Sequence, residues 1–176
     1  MAAVDDRPRR DRAPRAWTSW RGRSWRGRPW ALAALVLAIV VALDQLSKRA
    51  VEHSIAPGEE RNVLPGLQLV NTRNHGIAFG FLHGSDAIVT TLIGVALLAL
   101  LAYFALHSRD ALIWLPTGML IGGALGNVID RIRAGSVTDF IKLPLGWPPF
   151  NVADTSITLG VLVLFGVIEH TRRARA

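Results

Sequence analysis

The chain has 176 residues, of which 51% are hydrophobic, and it carries a formal net charge of +7 without any cysteine. The lack of cysteine excludes disulfide frameworks, thiolate nucleophiles and zinc–thiolate sites. Five scattered histidines without an HExxH pair argue against a zinc hydrolase. Nine arginines and three aspartates lie in residues 1–30, a net charge of +6 that leaves +1 for the rest. Because this charge sits in a terminal segment rather than on a folded face, we expect no nucleic-acid partner for the folded part of the chain. A terminal segment that binds RNA or DNA stays an alternative to one that contacts anionic lipid headgroups.

The N-terminal segment differs in composition from the rest of the chain. Residues 1–30 are rich in Arg, Pro, Gly and Trp and show no apolar periodicity. This composition predicts a disordered basic arm. Residues 31–170 are predicted to form a membrane domain, and residues 171–176 a short basic tail.

Four apolar segments predict four transmembrane helices. The first runs from Trp30 to about Val51 and begins with an uninterrupted apolar stretch. The second, at 87–106, has 20 residues without a charge, which matches the roughly 20 residues needed to cross about 30 Å of hydrocarbon. The third and fourth are expected at 111–128 and 152–168. The predicted fold class is an all-α membrane protein with four transmembrane helices.

A small extracytoplasmic β element is expected between the first two helices. Residues 67–70, Leu-Gln-Leu-Val, alternate between apolar and polar side chains, a pattern typical of a half-buried strand. The segment 52–84 is the only place where we expect such an element.

A glycine stripe marks the third predicted helix. Gly118, Gly122 and Gly126 recur every four residues, with Gly123 beside them. Small residues at this spacing allow a neighbouring helix to approach closely. We therefore expect this stripe to serve packing.

The distribution of basic residues predicts the orientation in the membrane. Four spans place the Arg-rich N-terminus and the C-terminal tail on the same side, and the positive-inside rule makes that side cytoplasmic. The segments 44–84 and 129–153, with net charges near 0 and +1, then face outward.

Polar side chains of three helices are expected at one depth. At 1.5 Å per residue, Asp44 and Asp154 each lie about 21 Å from the inner surface, Asn127 about 24 Å and Asp130 about 28 Å. Charged groups at such depth are costly, so they commonly mark a functional site or pair with one another.

Some of the polar residues at this depth are expected to pair with one another. Lys48 lies four residues after Asp44 and can form an ion pair with it on one helix face. Asp130 is followed by Arg131, and Asn127 shares a helix face with both. We therefore expect these residues to fix the helices and one another.

Asp139 and Asp154 are the candidates for chemistry. Asp139 lies in an apolar-flanked stretch, and Asp154 has no basic residue three or four positions away. An aspartate at a helix N-terminus is also a common cap, so for Asp154 a capping role stays open. Two aspartates in one low-dielectric site cannot both ionise cheaply. One carboxyl would stay protonated, and its ionised partner could take a proton from water.

Five motifs in chain order resemble those of the lipoprotein signal peptidases, the bacterial signal peptidase II family. The resemblance covers about residues 31–170. The motifs are DQLSK (44–48), NHGIAFG (74–80), GGALGNVIDR (122–131), GSVTDF (135–140) and FNVAD (150–154).

The resemblance implies an aspartic endopeptidase of the bacterial inner membrane, multi-pass, with its active site near the outer leaflet and a β-like cradle facing outward. Its substrates would be prolipoproteins carrying diacylglyceryl-cysteine, cut just before that cysteine, with membrane lipids as further partners. The catalytic residues would be Asp139 and Asp154, and no metal or cofactor is implied. The residues that would shape the site or bind substrate are Asn74, Asn127, Asp130, Arg131, Asn151, Asp44 and Lys48.

Other functions are compatible with parts of the sequence. The main alternative is a non-enzymatic membrane protein, such as a transporter or ion-pathway subunit that uses intramembrane carboxylates. Such a protein would show repeat-like halves or charges at the midplane of a helix, which this sequence lacks. An intramembrane serine protease would need a histidine base within the spans, and no histidine falls there.

Overall fold

Four helices and a three-stranded sheet make up the part of the chain that the structure describes. The structure is a computed structural model, and it describes residues 28–75, 86–108, 112–144 and 146–175. Residues 1–27 of the predicted arm therefore lie outside the described residues, and residues 28–30 are described. The elements are α1 (Arg28–Ser54), β1 (Glu60–Leu64), β2 (Leu67–Asn74), α2 (Asp86–His107), α3 (Trp114–Ala134), β3 (Val137–Lys142) and α4 (Val152–Arg175).

The helices lie where the sequence predicts them, but their ends differ. Helix α1 begins at Arg28 rather than Trp30, and α4 continues beyond residue 168 to Arg175. Helix α3 begins at Trp114 rather than 111, because Leu112 has φ 63° and a right-handed helix cannot pass through that conformation.

Helix α3 also extends beyond the predicted end at residue 128. It ends at Gly135, which adopts φ 69° and donates its backbone N–H to the Arg131 carbonyl. A glycine in this left-handed conformation is a common helix terminator. The extra turn and a half brings Asp130 and Arg131 into the helix.

The sheet is antiparallel, in the order β1-β2-β3. The predicted strand at 67–70 is confirmed as the first half of β2. The expectation that only the segment 52–84 could form strands is wrong, because β3 lies between α3 and α4. Its pairing with β2, in which Thr72 faces Asp139, supplies the hydrogen bonds that this short segment could not make alone.

The glycine stripe packs helices together, as predicted. A Cβ added at Gly118 would lie 2.7 Å from the Ala33 carbonyl oxygen, and one at Gly123 would lie 2.5 Å from the Ala153 carbonyl oxygen. Since real Cβ atoms do not approach that closely, α3 lies in direct backbone contact with α1 on one side and α4 on the other.

Polar residues are inside the helical bundle and apolar residues are outside it. Asp44 in α1 is 0% exposed, while its neighbour Leu43 is 56% exposed. Helix α4 likewise exposes Leu162 and Phe165. Helices α1 and α4 are long and apolar enough to cross a membrane. An apolar exterior around paired polar groups is what a bilayer requires, and it indicates a membrane protein.

An apolar cluster at one end of the bundle draws on α1, α2, α4 and the residue that precedes α3. The ring of Trp30 in α1 lies 4.5 Å from that of Phe104 in α2, edge to face. Phe104 belongs to a buried cluster with Ala33, Ile113 and Val167. The start of α1, the ends of α2 and α4, and the residue preceding α3 therefore meet at one end of the bundle. The polar residues of the candidate site lie toward the opposite ends of α1, α3 and α4.

Candidate active site

The chain between β3 and α4 folds back on itself and brings two polar segments together. Phe150 donates its N–H to the Ile141 carbonyl at 3.0 Å, and its own carbonyl accepts from the N–H groups of Phe140 and Ile141. Pro144, with Pro148 and Pro149, lies in the intervening loop, where continued helix is disfavoured. The predicted reversal of the chain is confirmed, and it places residue 151 beside Asp139.

Asp139 is buried on strand β3 and accepts hydrogen bonds from two amides. Asn74 donates to its Oδ2 at 2.9 Å, and Asn151 donates to its Oδ1 at 2.6 Å. Burial raises the pKa of Asp139 to about 6, and the charge of Asp154 adds to the rise, while the two amides and Lys48 oppose it. Its proton affinity is therefore close to the range useful for acid–base chemistry at neutral pH.

Asp154 lies in the first turn of α4 and has two kinds of partner. Its Oδ2 accepts the backbone N–H of Asn151 at 3.2 Å, and its own N–H donates to Asn151 Oδ1 at 2.9 Å. This reciprocal pair is a capping box, so the capping role left open for Asp154 is real. Its Oδ1, however, accepts from the side chain of Asn127 at 2.8 Å. One oxygen caps the helix while the other faces the polar interior.

Two asparagines connect the aspartates. Asn151 Nδ2 lies 2.6 Å from Asp139 Oδ1 and 3.2 Å from Asn127 Oδ1, and Asn127 Nδ2 binds Asp154. The sequence predicts that Asn127 fixes Asp130 and Arg131. In the structure its side chain instead binds Asp154, Asn151 and Lys48, and Arg131 reaches its backbone carbonyl at 3.4 Å.

Lys48 lies at the centre of a buried ion-pair network. Its Nζ lies 2.8 Å from Asp44 Oδ2, 2.7 Å from Asp130 Oδ2 and 3.0 Å from Asn127 Oδ1. The predicted pairing of Asp44 with Lys48 is confirmed. Asp130 of α3 also forms an ion pair with this lysine of α1. The sequence had suggested the adjacent Arg131 as the partner of Asp130 instead. The three acceptors match the three ammonium protons.

Asp44 has a second role at the start of α4. Its Oδ1 accepts the backbone N–H of Ala153 at 2.9 Å. The first N–H groups of a helix have no partner within the helix, so this carboxylate of α1 caps α4 from outside. It thereby fixes the turn that carries Asp154.

Sequence reasoning missed Gln45 and Thr138. Gln45 donates to Asp130 Oδ1 at 2.8 Å and to the Gly126 carbonyl at 3.2 Å, and the Thr138 N–H donates to Asp130 Oδ2 at 3.4 Å. Gln45 lies in the 44–48 motif and Thr138 in the 135–140 motif. Their position in these motifs was the only feature of the sequence that could have indicated a role in the site. Asn74 and His75 are described, whereas the remainder of the 74–80 motif lies outside the described residues.

The geometry can support hydrolysis by a pair of carboxyl groups. Asp139 and Asp154 lie close enough to interact electrostatically, on separate elements linked by amide side chains. A coupled pair of this kind, with one carboxyl buried and the other half-buried, can hold one proton and one negative charge, which general acid–base catalysis of water attack needs. The charged network of Lys48 lies behind the pair and fixes α1, α3 and α4 relative to one another.

Comparison with known proteins decides among the functions compatible with this site. The sequence profile of the family described as Signal peptidase (SPase) II matches residues 36–169. The chain belongs to the signal peptidase II family. Signal peptidase II enzymes are peptidases, so the chain is a hydrolase, and the non-enzymatic alternative is not supported.

Individual relatives agree with this assignment. Lipoprotein signal peptidase from Oleidesulfovibrio alaskensis is 38% identical over 146 residues, covering 77% of this chain and 94% of the relative. That from Moorella thermoacetica is 40% identical over 134 residues, covering 74% and 87%. A solved bacterial membrane enzyme, determined by the in meso method at 2.3 Å resolution, superposes with a TM-score of 0.72 at 31% identity and covers 80% of this chain and 90% of its own. The fold of this chain is therefore similar to that of a solved bacterial membrane enzyme.

Proposed function

We propose that this chain removes signal peptides from prolipoproteins by cutting the bond before a diacylglyceryl-modified cysteine, with Asp139 and Asp154 as the catalytic pair. The observation that carries the proposal is the pair of carboxyl groups itself, with Asp139 buried on β3 and Asp154 half-buried in the first turn of α4. Asp139 and Asp154 come from different elements, are joined through Asn151 and Asn127, and lie at one end of an apolar bundle.

The reaction is hydrolysis of one peptide bond. The ionised carboxyl takes a proton from a water molecule, whose oxygen attacks the scissile carbonyl carbon. The protonated carboxyl donates its proton to the carbonyl oxygen as negative charge develops there. When the carbon–nitrogen bond breaks, the leaving amine of the lipidated cysteine takes the proton that the first carboxyl accepted from water. A hydroxyl of the tetrahedral intermediate returns a proton to the second carboxyl, and the signal peptide leaves as a carboxylic acid that then ionises.

The other polar residues position the catalytic pair. Asn74 and Asn151 hold Asp139, and Asn127 holds Asp154. Behind them, Lys48 joins Asp44 of α1 to Asp130 of α3, Asp44 caps the start of α4, and Arg131 binds the backbone carbonyl of Asn127.

We place the site near the outer leaflet of a bacterial inner membrane. Asn127 is 13 residues after the start of α3 at Trp114, which is about 20 Å along the helix axis. The apolar cluster at the opposite end of the bundle lies next to the basic C-terminal tail, which the positive-inside rule assigns to the cytoplasm. A substrate anchored by acyl chains in the outer leaflet would then present its cysteine at the depth of Asp139. Four spans with both ends cytoplasmic predict that a reporter fused after Gly84 is exported and one fused after His107 is not.

The direct test is cleavage by the purified chain. We expect it to release the signal peptide from a diacylglyceryl-modified preprolipoprotein and to leave the unmodified precursor intact. Equal cleavage of both precursors would contradict recognition of the lipid, and cleavage of neither would contradict the function.

A further inference from the structure

A separate cluster of polar side chains holds the residue that precedes Asp139. The Thr138 hydroxyl donates to Glu52 Oε1 at 2.5 Å and accepts from Arg73 Nη1 at 2.9 Å. Arg73 Nη2 in turn lies 3.1 Å from the same Glu52 oxygen. Each of the three side chains therefore contacts the other two. The cluster joins β3, which carries Thr138, to β2 and to the last turn of α1.

The ion pair in this cluster is partly exposed, whereas the threonine is buried. The side chains of Arg73 and Glu52 are 43% and 31% exposed, and ion pairs in contact with water contribute little to stability. Thr138 is 1% exposed, and a buried hydroxyl is costly to leave without partners. The cluster therefore determines where β3 lies more than it stabilises the fold.

Helix α1 is connected to both aspartates of the proposed catalytic pair. Asp44 caps the first turn of α4, which carries Asp154. Glu52 binds Thr138, which is the neighbour of Asp139 on β3. Asp44 and Glu52 are eight residues apart, which is about 12 Å along a helix axis. One helix therefore fixes the segments that carry the two carboxyls relative to each other.

Strand β2 binds consecutive residues of β3. Arg73 is paired with Thr138 in the register and binds its hydroxyl. The next residue, Asn74, donates to Asp139 Oδ2. Because successive side chains of a strand point to opposite faces of the sheet, these two contacts hold β3 from both faces. A shift of β3 against β2 would break both contacts.

We infer that Arg73 and Glu52, acting together on the Thr138 hydroxyl, set the position of the Asp139 carboxyl relative to Asp154. The inference rests on the proposed function, and in it Arg73, Glu52 and Thr138 are positioning residues. Hydrolysis requires both carboxyls to meet one water molecule and one carbonyl group, and a misplacement of about 1 Å can lower a rate about 10²-fold. The cluster should therefore affect the rate of cleavage more than it affects substrate binding.

The test measures kcat, KM and unfolding temperature for variants of the ion pair, with a diacylglyceryl-modified precursor as substrate. Arg73→Leu and Glu52→Leu each remove one partner of the Thr138 hydroxyl. We expect each to lower kcat by about tenfold, with smaller changes in KM and in unfolding temperature. The double variant Arg73→Glu with Glu52→Arg again places one carboxylate and one guanidinium beside the hydroxyl, and it should restore much of the lost kcat.

Two substitutions of the threonine test whether the ion pair acts through it. Thr138→Val keeps the shape of the side chain and removes the hydroxyl, so it should lower kcat as the ion-pair variants do. Thr138→Ser keeps the hydroxyl and should keep most of the activity. The matched control is Lys142→Leu, which removes another partly exposed ion pair of β3, that with Glu60, and it should leave kcat unchanged.

Several results would overturn the inference. One is a wild-type kcat in Thr138→Val or in both single variants of the ion pair, including the case in which only the unfolding temperature falls. Another is a charge-swapped double variant no more active than the single variants, which would indicate that Arg73 or Glu52 acts on the substrate itself. These results leave the proposed function in place as long as the wild type cleaves and Asp139→Asn does not. A wild type that does not cleave would contradict the proposed function instead.

Discussion

Replacement of Gly126 by alanine should disturb the charged network without removing any polar group. A Cβ at Gly126 would lie 2.6 Å from Asp44 Oδ2 and 3.1 Å from its Cγ, so the carboxylate must move. The same carboxylate binds Lys48 through Oδ2 and caps Ala153 through Oδ1. The added methyl group therefore disrupts both an ion pair and the start of α4.

The magnitude follows from opposing effects. Alanine in place of glycine favours a helix by about 1 kcal/mol, whereas overpacking costs about 1–3 kcal/mol. Complete loss of a partner from a buried ion pair costs about 3–5 kcal/mol, and a displaced carboxylate loses a fraction of that. We expect a net destabilisation of about 2–3 kcal/mol, which for a chain of this size corresponds to an apparent unfolding temperature roughly 4–12 °C lower.

The matched control is Gly166→Ala in α4, where an added Cβ meets no atom within 4 Å. It should gain the helix propensity and unfold at the wild-type temperature or above. Both variants are compared in one detergent at one scan rate, because unfolding temperatures of irreversible transitions depend on the rate. If Gly126→Ala unfolds at the same temperature as Gly166→Ala, the close packing of α3 against Asp44 is wrong.

Two further predictions follow. Asp139→Asn should change how stability depends on pH. Because burial raises the pKa of Asp139 to about 6, the folded wild type binds more protons than the unfolded chain between about pH 4 and 6. The stability of the wild type therefore falls as pH rises through that window. The variant does not lose stability in this way, so its unfolding temperature minus that of the wild type should rise between pH 4 and 6 and then level off. A difference in unfolding temperature that stays constant with pH would contradict the raised pKa of Asp139. Deletion of residues 2–27 should lower membrane insertion or yield more than turnover, since basic residues near a bilayer contribute about 1 kcal/mol each of lipid attraction; lower turnover per correctly inserted molecule would contradict this.

The helices could be predicted because long apolar segments are a feature of local composition. The bilayer requires long apolar segments, and such segments are visible one at a time in the sequence. Their ends could not be placed as well, because they depend on single backbone conformations. Leu112 at the start of α3 and Gly135 at its end are examples.

Strand β3 was missed for a different reason. A six-residue strand is stabilised by its partner, and the register that pairs Thr72 with Asp139 joins residues 67 positions apart in sequence. No local pattern encodes that pairing. The strand at 67–70 was detectable because its alternation is local.

The sequence predicted which residues form the site better than it predicted the contacts between them. Motif resemblance named Asp139, Asp154 and the asparagines, and helical spacing named the Asp44–Lys48 pair. The contact of Asp44 with the Ala153 N–H and that of Asn127 with Asp154 depend on how α1, α3 and α4 pack. Such contacts between elements are set by tertiary structure, so spacing within one helix could not reveal them.

The most direct test of the central claim is cleavage of lipidated precursor by Asp139→Asn and Asp154→Asn. Asparagine keeps the size of aspartate and one acceptor oxygen, so it removes the titrating group while the helix cap at Asp154 can persist. Glu169→Gln, which neutralises a carboxyl toward the other end of α4 beside Arg173, is the control. We predict that each aspartate variant folds, binds lipidated precursor and loses at least about 10²-fold in cleavage rate, while the control cleaves normally. Near-wild-type cleavage by a folded Asp154→Asn would show that Asp154 is only a helix cap and would contradict the account.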